Sequence, residues 1–140
     1  MAAFVLDCSV SISWLMPDEF FDAHFLDQVI EKGAIAPSLW TLEIGNILVM
    51  AERNRRISSE QRHKALYTLA ELPITIDTMT SDHAWLETMG LAEQYSLTLY
   101  DATYLELSLR RSLPLATLDK SLKRAAELTG ILVPVLKNAE

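Results

Sequence analysis

An uninterrupted apolar run opens the chain and ends in a carboxylate. Residues 2–6 read Ala-Ala-Phe-Val-Leu and are followed directly by Asp7. A run without polar alternation predicts a strand that is covered on both faces, as in a parallel sheet packed between helices. Sheets of this kind place their functional groups at the carboxyl ends of the strands. We therefore expect Asp7 to lie at a functional edge of such a sheet.

Two later segments repeat this pattern of an apolar run that ends in aspartate. Residues 97–101 read Leu-Thr-Leu-Tyr-Asp and end at Asp101, and residues 113–119 read Leu-Pro-Leu-Ala-Thr-Leu-Asp and end at Asp119. If the three strands run parallel, the three aspartates meet at one edge. Carboxylates at that density raise one another's pKa unless a cation neutralises them, and a divalent metal ion is a natural neutraliser.

Strands and helices are predicted to alternate along the rest of the chain. Further short strands are expected at 34–36 and 74–76. Helices are expected over residues 9–15, 19–32, 39–55, 59–72, 102–111 and 120–129, and another, capped by Thr80, Ser81 or Asp82, is expected to carry the apolar residues of 85–92. This order predicts an α/β fold with a central, mainly parallel sheet flanked by helices. At 140 residues the chain fits one domain, residues 1–140, with a loose end at 137–140.

The expected helix over 39–55 is apolar nearly all round, which predicts a core helix. Glu43 and Asn46 interrupt it and, three residues apart, share a face. A buried carboxylate without a partner costs about 3 to 5 kcal/mol. Something must therefore compensate Glu43.

Each of these acids also has an ordinary explanation. Asp101 and Asp119 stand where helices begin, and an acid in a first turn favours the helix dipole by about 0.3 to 1 kcal/mol. Asp7 and Ser9 are suited to capping the first helix, and Glu43 fits a solvated helix edge. All four explanations stay open at this point, but independent caps need not converge with a polar pair inside a core helix.

The acidic balance of the chain limits how it can bind nucleic acid. Its formal net charge of -7 argues against binding by bulk electrostatics but leaves local contacts open. The basic candidates for contact with a phosphate backbone are Arg53, Arg55, Arg56 and Lys120. Basic residues at a helix end also simply complement the helix dipole.

Cysteine and hydropathy limit the compartment. The single cysteine, Cys8, excludes an internal disulfide and a cysteine-based zinc site, which agrees with a reducing compartment. No apolar run approaches the roughly 20 residues that cross a bilayer, and the start lacks a signal-peptide pattern. We expect a cytoplasmic protein without a membrane partner.

Four sequence blocks, in order, resemble the motifs of the PIN domain family, and most closely those of VapC-type ribonuclease toxins of bacterial toxin-antitoxin pairs. The blocks are Val-Leu-Asp-Cys-Ser at 5–9, Trp-Thr-Leu-Glu-Ile-Gly-Asn at 40–46, Leu-Tyr-Asp-Ala-Thr-Tyr at 99–104 and Ala-Thr-Leu-Asp at 116–119. The resemblance covers nearly the whole chain. It implies a PIN-like three-layer fold.

The resemblance also implies a site and a reaction. The acids would coordinate one or two Mg²⁺ or Mn²⁺ ions, and three polar residues would orient ligands or substrate. The implied ligands are Asp7, Glu43, Asp101 and Asp119, and the implied supporting residues are Ser9, Asn46 and Thr117. In the family, a metal-activated water attacks an RNA phosphodiester and leaves a 5′-phosphate and a 3′-hydroxyl.

Two protein partners are implied as well. VapC-like proteins pair as homodimers and bind an antitoxin whose C-terminal tail blocks a groove near the site. The first four expected helices carry more apolar residues than one core of this size obviously absorbs, notably Phe20, Phe21, Phe25 and residues 40–50. We expect part of this surplus to form an interface.

Two other interpretations compete with a nuclease. One is a non-catalytic binding module whose acids are only caps. The other is a metal-dependent phosphotransfer domain, against which local detail counts. A dehalogenase-like phosphatase needs a second aspartate where this chain has Ser9, and a receiver domain needs paired acids where Cys8 stands.

Overall fold

A parallel four-stranded sheet forms the centre of the molecule. The computed structural model describes residues 2–137. The elements, in chain order, are β1 (Phe4–Leu6), α1 (Cys8–Ser13), α2 (Ala23–Lys32), β2 (Ala34–Pro37), α3 (Ser38–Arg53), α4 (Ser59–Glu71), β3 (Ile74–Asp77), α5 (Thr80–His83), a π-helical turn (Ala84–Thr88), α6 (Met89–Tyr95), α7 (Leu99–Arg111), β4 (Leu115–Ala116) and α8 (Lys120–Leu128). The strand order is β3-β2-β1-β4, and every pairing is parallel. The predicted α/β fold is confirmed.

Strand β1 lies between β2 and β4 and is buried on both faces. Val5 pairs with Ile35 on one side and with Leu115 on the other. The side chain of Val5 belongs to the larger core cluster, whereas Phe4 and Leu6 belong to a second cluster on the opposite face. This alternation is the period of two that a strand imposes. It explains why the opening run is apolar at every position.

Helices cover both faces of the sheet and give three layers. The larger core cluster draws on α3, α4, α7 and α8, and the smaller cluster takes Val10 from α1 and Phe25 and Val29 from α2. The ring centroids of Phe4 and Phe25 lie 4.9 Å apart in an edge-to-face arrangement. Phe25 is therefore core rather than interface, as are Trp40, Ile44 and Leu48.

The prediction of a strand over residues 97–101 is wrong. Ser96 ends α6 in the left-handed conformation, with φ of 55°. Thr98 then caps α7, because its hydroxyl accepts a hydrogen bond from the backbone N–H of Asp101 at 3.0 Å. Only three residues separate the helices, which leaves no room for a strand. Asp101 consequently lies in the first turn of a helix, not at a strand end.

The second helix begins later than expected. Residues 19–22 lie outside α2, and the cap is Asp22, whose side chain accepts a hydrogen bond from the backbone N–H of Phe25 at 3.0 Å. Asp7, not Ser9, occupies the N-cap position of the first helix, where its side chain makes no capping hydrogen bond, and the helix ends at Ser13. The expected helix that carries residues 85–92 is divided among α5, the π-helical turn and α6. Ser58 and Gln61 form a capping box at the start of α4.

An ion-pair network anchors the C-terminal half of α7 to the end of β3. Arg110 donates to both carboxylate oxygens of Asp77, at 3.0 and 2.8 Å, and to Glu106 one turn away at 2.8 Å. Both acids are buried. The Arg110 guanidinium holds the pKa of Asp77 below its ordinary value. Arg110 is thereby occupied and fixes the position of α7 against the sheet.

Of the expected loose end, the backbone N–H of Lys137 donates to Asp22 at 2.8 Å, and residues 138–140 lie outside the described range. Within residues 2–137, every helix is too short or too polar to span a membrane.

Candidate active site

The hub of the site is Asp7, which directly follows β1. Its backbone N–H donates to the carbonyl oxygen of Ala116 in β4 at 3.0 Å, so the chain leaves the sheet only after this residue. The side chain is buried, with 3% of the residue exposed. Because β1 ends at Leu6 and α1 begins at Cys8, Asp7 lies at the carboxyl end of β1, as the sequence predicts.

Two hydroxyl groups hold the carboxylate of Asp7. The side chains of Ser9 and Thr117 each donate to Oδ2 at 2.7 Å. Burial raises the pKa of Asp7 above its ordinary value, the two hydroxyls lower it, and the negative charge of Glu43 raises it again. The net direction is upward. Ionised Asp7 is therefore oriented but not neutralised by its surroundings.

The same hydroxyls tie the turn after β1 to the turn after β4. Ser9 Oγ accepts from the backbone N–H of Leu118, and Thr117 Oγ1 accepts from the backbone N–H of Asp119, each at 3.0 Å. Asp119 in turn caps α8 by accepting from the backbone N–H of Leu122 at 2.8 Å. Asp119 thus caps α8 and is also a member of the acidic group. Its role as a helix cap therefore does not rule out a role in the site.

Asp101 approaches this group from the first turn of α7. It is half-buried, and its pKa is raised by burial and then by the negative charges of Asp119 and Asp7. Those charges act on Asp101 because the three aspartates share one local environment. Asp7, Asp101 and Asp119 are therefore near enough for their charges to interact, although Asp101 lies on a helix rather than at a strand end.

Glu43 enters the site from α3 and is half-buried. The hydroxyl of Tyr104 donates to Glu43 Oε1. Tyr104 is fully buried on α7, and burial raises the pKa of its hydroxyl, so it stays a proton donor. The sequence indicates no role for Tyr104, because Glu43, which accepts the hydrogen bond of its hydroxyl, lies 61 positions away. The only local signal is its place three residues after Asp101.

The oxygen atoms of these four acids fit a hard divalent cation in their chemistry. Among residues 2–137, none of the ion pairs involves Asp7, Glu43, Asp101 or Asp119, so no basic side chain there neutralises them. In the same part of the chain, no three histidine, cysteine, aspartate or glutamate side chains are grouped closely enough to hold a metal ion as they stand. These four acids thus have no basic partner among the described residues, and they do not already surround a metal position.

The remaining candidates are spread more widely. Asn46 is exposed on α3, and Lys120 is exposed beside Asp119. Arg53 lies ten residues beyond Glu43, roughly 15 Å along the helix axis. Arg55 and Arg56 follow it, and Arg56 pairs with Asp18 at 3.0 Å. The structure therefore separates the three arginines from the acids.

The molecule is an α/β protein with a parallel sheet, and carboxylates lie near one edge of that sheet. Comparison with known proteins identifies its family. The family model described as "PIN domain" matches residues 4–128. The chain belongs to the PIN domain family, whose members are generally nucleases. Comparison with the curated proteins gives no match.

Solved structures share the fold at low sequence identity. The crystal structure of PAE2754 from Pyrobaculum aerophilum aligns with a TM-score of 0.64 at 21% identity, covering 94% of this chain and 89% of that one. FitAcB from Neisseria gonorrhoeae aligns with 0.63 at 15%, covering 93% and 95%. DNA-bound VapBC from Salmonella typhimurium aligns with 0.63 at 17%, covering 96% and 98%. These values show a common fold.

Proposed function

We propose that the chain is a Mg²⁺- or Mn²⁺-dependent endoribonuclease and the toxin of a toxin-antitoxin pair. The observation that supports the proposal is that the charge of Glu43 acts on Asp7 and the charges of Asp7 and Asp119 act on Asp101, while no basic side chain of the described residues is paired to any of the four. Membership of the PIN domain family supports a nuclease.

Each side chain has a separate part in this proposal. Asp7 and Asp101 would hold the principal ion, and Glu43 would contribute partly through water. Asp119 would hold metal or act as a base that orients a water. Ser9 and Thr117 fix the orientation of Asp7 through their 2.7 Å hydrogen bonds. A bound divalent ion supplies a water of lowered pKa and stabilises the charge that develops on the phosphate. The products are a 5′-phosphate and a 3′-hydroxyl.

RNA contacts beyond the scissile phosphate are assigned to exposed side chains. Lys120 is adjacent to Asp119, and Asn46 is one turn beyond Glu43, so both can contact the nucleotides next to the cleaved bond. Arg53 ends α3 and Arg55 lies just beyond it, so we expect both to contact only a more distant phosphate. Arg56 can do so only if it leaves Asp18.

An antitoxin is the proposed protein partner. The similar folds include DNA-bound VapBC and a toxin-antitoxin complex from Klebsiella pneumoniae, which supports this assignment. An arginine or lysine of the antitoxin, placed among the four acids, would neutralise them in place of metal. Excess Mg²⁺ added to a purified complex is expected to restore cleavage. Full inhibition at every Mg²⁺ concentration would contradict this competition.

The direct test replaces Asp101 by asparagine, which keeps the volume and removes the charge. Even outer-shell partners of metal ligands are worth about 10- to 100-fold, so we expect RNA cleavage to fall by more than about 100-fold. EDTA should abolish cleavage by the unmodified chain. Cleavage is measured on labelled RNA, with folding checked by circular dichroism.

Asp82→Asn is the matched control. Asp82 also lies in the first turn of a helix, but it is exposed on α5. This variant should cleave like the unmodified chain. Wild-type cleavage by Asp101→Asn, in a correctly folded protein, would refute the assignment of the site.

A non-catalytic binding module remains the second candidate function. The observation that favours it is the absence, within residues 2–137, of three acids already closed around a metal position. Titration with Mn²⁺ separates the two candidates. A binding module takes up no ion at these acids, whereas the nuclease binds Mn²⁺ and loses that binding in Asp101→Asn.

A further inference from the structure

We infer that Tyr104 is a positioning residue that holds the Glu43 carboxylate in the orientation the metal site requires. The inference rests on the proposed function, because it assigns a role toward the ion that the four acids would bind. It adds to that proposal a residue that is neither acidic nor a ligand.

The first step of the argument is the rigidity of Tyr104. The residue is 0% exposed and is among the largest fully buried side chains of the described chain. Its ring belongs to the same core cluster as Ile44 and Leu48, which lie on α3 with Glu43. A ring packed in this way cannot change rotamer without disturbing the core. Its hydroxyl is therefore a fixed point at the inner edge of the site.

The second step is the contrast with Glu43, which is half-buried on a helix surface and has three rotatable side-chain bonds. The Tyr104 hydroxyl donates to Oε1 of this carboxylate. A hydrogen bond to a charged acceptor is short and strong, so it selects one orientation of the carboxylate. The bond to Oε1 leaves Oε2 as the oxygen that can turn toward a cation. Partners of this kind orient metal ligands in protein sites.

The third step is the placement of Tyr104 on α7. It lies three residues after Asp101, so the two side chains project on the same side of one helix. Docking of α7 therefore positions Asp101 directly and Glu43 through Tyr104. A single helix thus sets the spacing between acids that come from two separate elements.

The test is Tyr104→Phe, which retains the ring in the core and removes only the hydroxyl. We expect the Kd for Mn²⁺, measured by calorimetry, to rise about 10- to 100-fold. The Mg²⁺ concentration for half-maximal cleavage should rise with it, and kcat should fall with little change in the KM for RNA. Tyr67→Phe, at a tyrosine 70% exposed on α4, is the matched control and should behave like the unmodified chain.

Stability separates positioning from mere packing. In EDTA, Tyr104→Phe and Glu43→Gln should show a non-zero coupling in a double-mutant cycle of unfolding free energies. An unchanged Kd for Mn²⁺ in folded Tyr104→Phe, with the unmodified chain binding Mn²⁺, would overturn the inference alone. If the unmodified chain binds no Mn²⁺ and cleaves no RNA, the proposed function fails and the positioning role falls with it. Loss of fold without a change in Kd for the folded fraction would also overturn the inference.

Discussion

Asp7 is a buried acidic residue whose negative charge is unfavourable in its surroundings. Its carboxylate is buried at the end of the central strand and is held by two hydroxyls rather than by a basic side chain. Hydroxyl groups orient a carboxylate but do not cancel its charge. A carboxylate that is buried in this way lowers the stability of the protein unless a cation neutralises it.

Replacing Asp7 by asparagine should therefore stabilise the metal-free protein while abolishing cleavage. The pKa of folded Asp7 is raised, so its protonated form contributes stability that is complete below the unfolded value near 3.8 and is lost as the pH rises through the folded pKa. In EDTA at pH 7, Asp7→Asn should melt a few degrees higher, since about 1 kcal/mol moves Tm by roughly 4 °C in a domain of this size.

Thermal unfolding from pH 3 to pH 8 measures this difference. The two melting temperatures should converge at the acid end and separate toward neutral pH. Asp82→Asn, at an exposed aspartate, should follow the unmodified chain throughout. A lower Tm for Asp7→Asn at pH 7 in EDTA would show that the hydroxyls already stabilise the charged form.

Helix α7 is the element that organises the site. Asp101 lies in its first turn, Tyr104 contacts Glu43, and Arg110 anchors its last turns to Asp77 of β3. The anchor and the acid lie nine residues apart, roughly 14 Å along one rigid axis. We therefore expect displacement at the anchored end to be transmitted to the end that carries Asp101.

Arg110→Met should destabilise the protein by about 3 kcal/mol, because it leaves Asp77 and Glu106 buried without their cation. The pKa of Asp77 is held low in the folded protein, so its stabilisation is present above the unfolded value near 3.8 and is lost as the pH falls through the folded pKa. Urea unfolding at pH 7 and at pH 3 should show the difference shrinking in acid. Arg111→Met, at an exposed neighbour, is the control.

Exposed apolar side chains are distributed over the molecule as a whole. Leu42 is 73% exposed on α3, although Trp40 and Ile44 beside it are buried. Trp85 and Leu86, in the π-helical turn, are 84% and 76% exposed. Some of the apolar residues expected in excess are thus buried in the core, and others lie on a surface that is exposed to water in a monomer. We propose that a second copy of the chain covers part of this surface.

Light scattering after gel filtration tests the homodimer. The unmodified chain should run at about twice its 15.8 kDa mass, and Trp85→Lys with Leu86→Lys should run as a monomer with its core intact. Leu128→Lys, at another exposed leucine, should leave the dimer unchanged. A monomeric unmodified chain at micromolar concentration would refute the proposed homodimer.

The sequence was sufficient to predict the α/β fold and the place of Asp7 after a strand, whereas the strand expected before Asp101 is absent from the described residues. Asp7 follows a strand, and Asp119 lies three residues beyond another. The sequence predicted Asp101 at a strand end because the run Leu-Thr-Leu-Tyr before it resembles the apolar run before Asp7, whereas the cap formed by Thr98 favours a helix. The hydrogen bond from Tyr104 to Glu43 could not be predicted from the sequence, because it depends on how two distant helices pack.

The hydrogen bond from Thr117 to Asp7 spans 110 positions, and the bond from Leu118 to Ser9 spans 109. A ribosome making this chain therefore releases Asp7 long before it releases the residues that hold Asp7 in place. The edge of the sheet is finished only when β4 has been synthesised and added beside β1. In the proposed nuclease, we therefore expect a nascent chain that stops short of that strand to cleave no RNA, because Asp7 still lacks the hydrogen bond from Thr117.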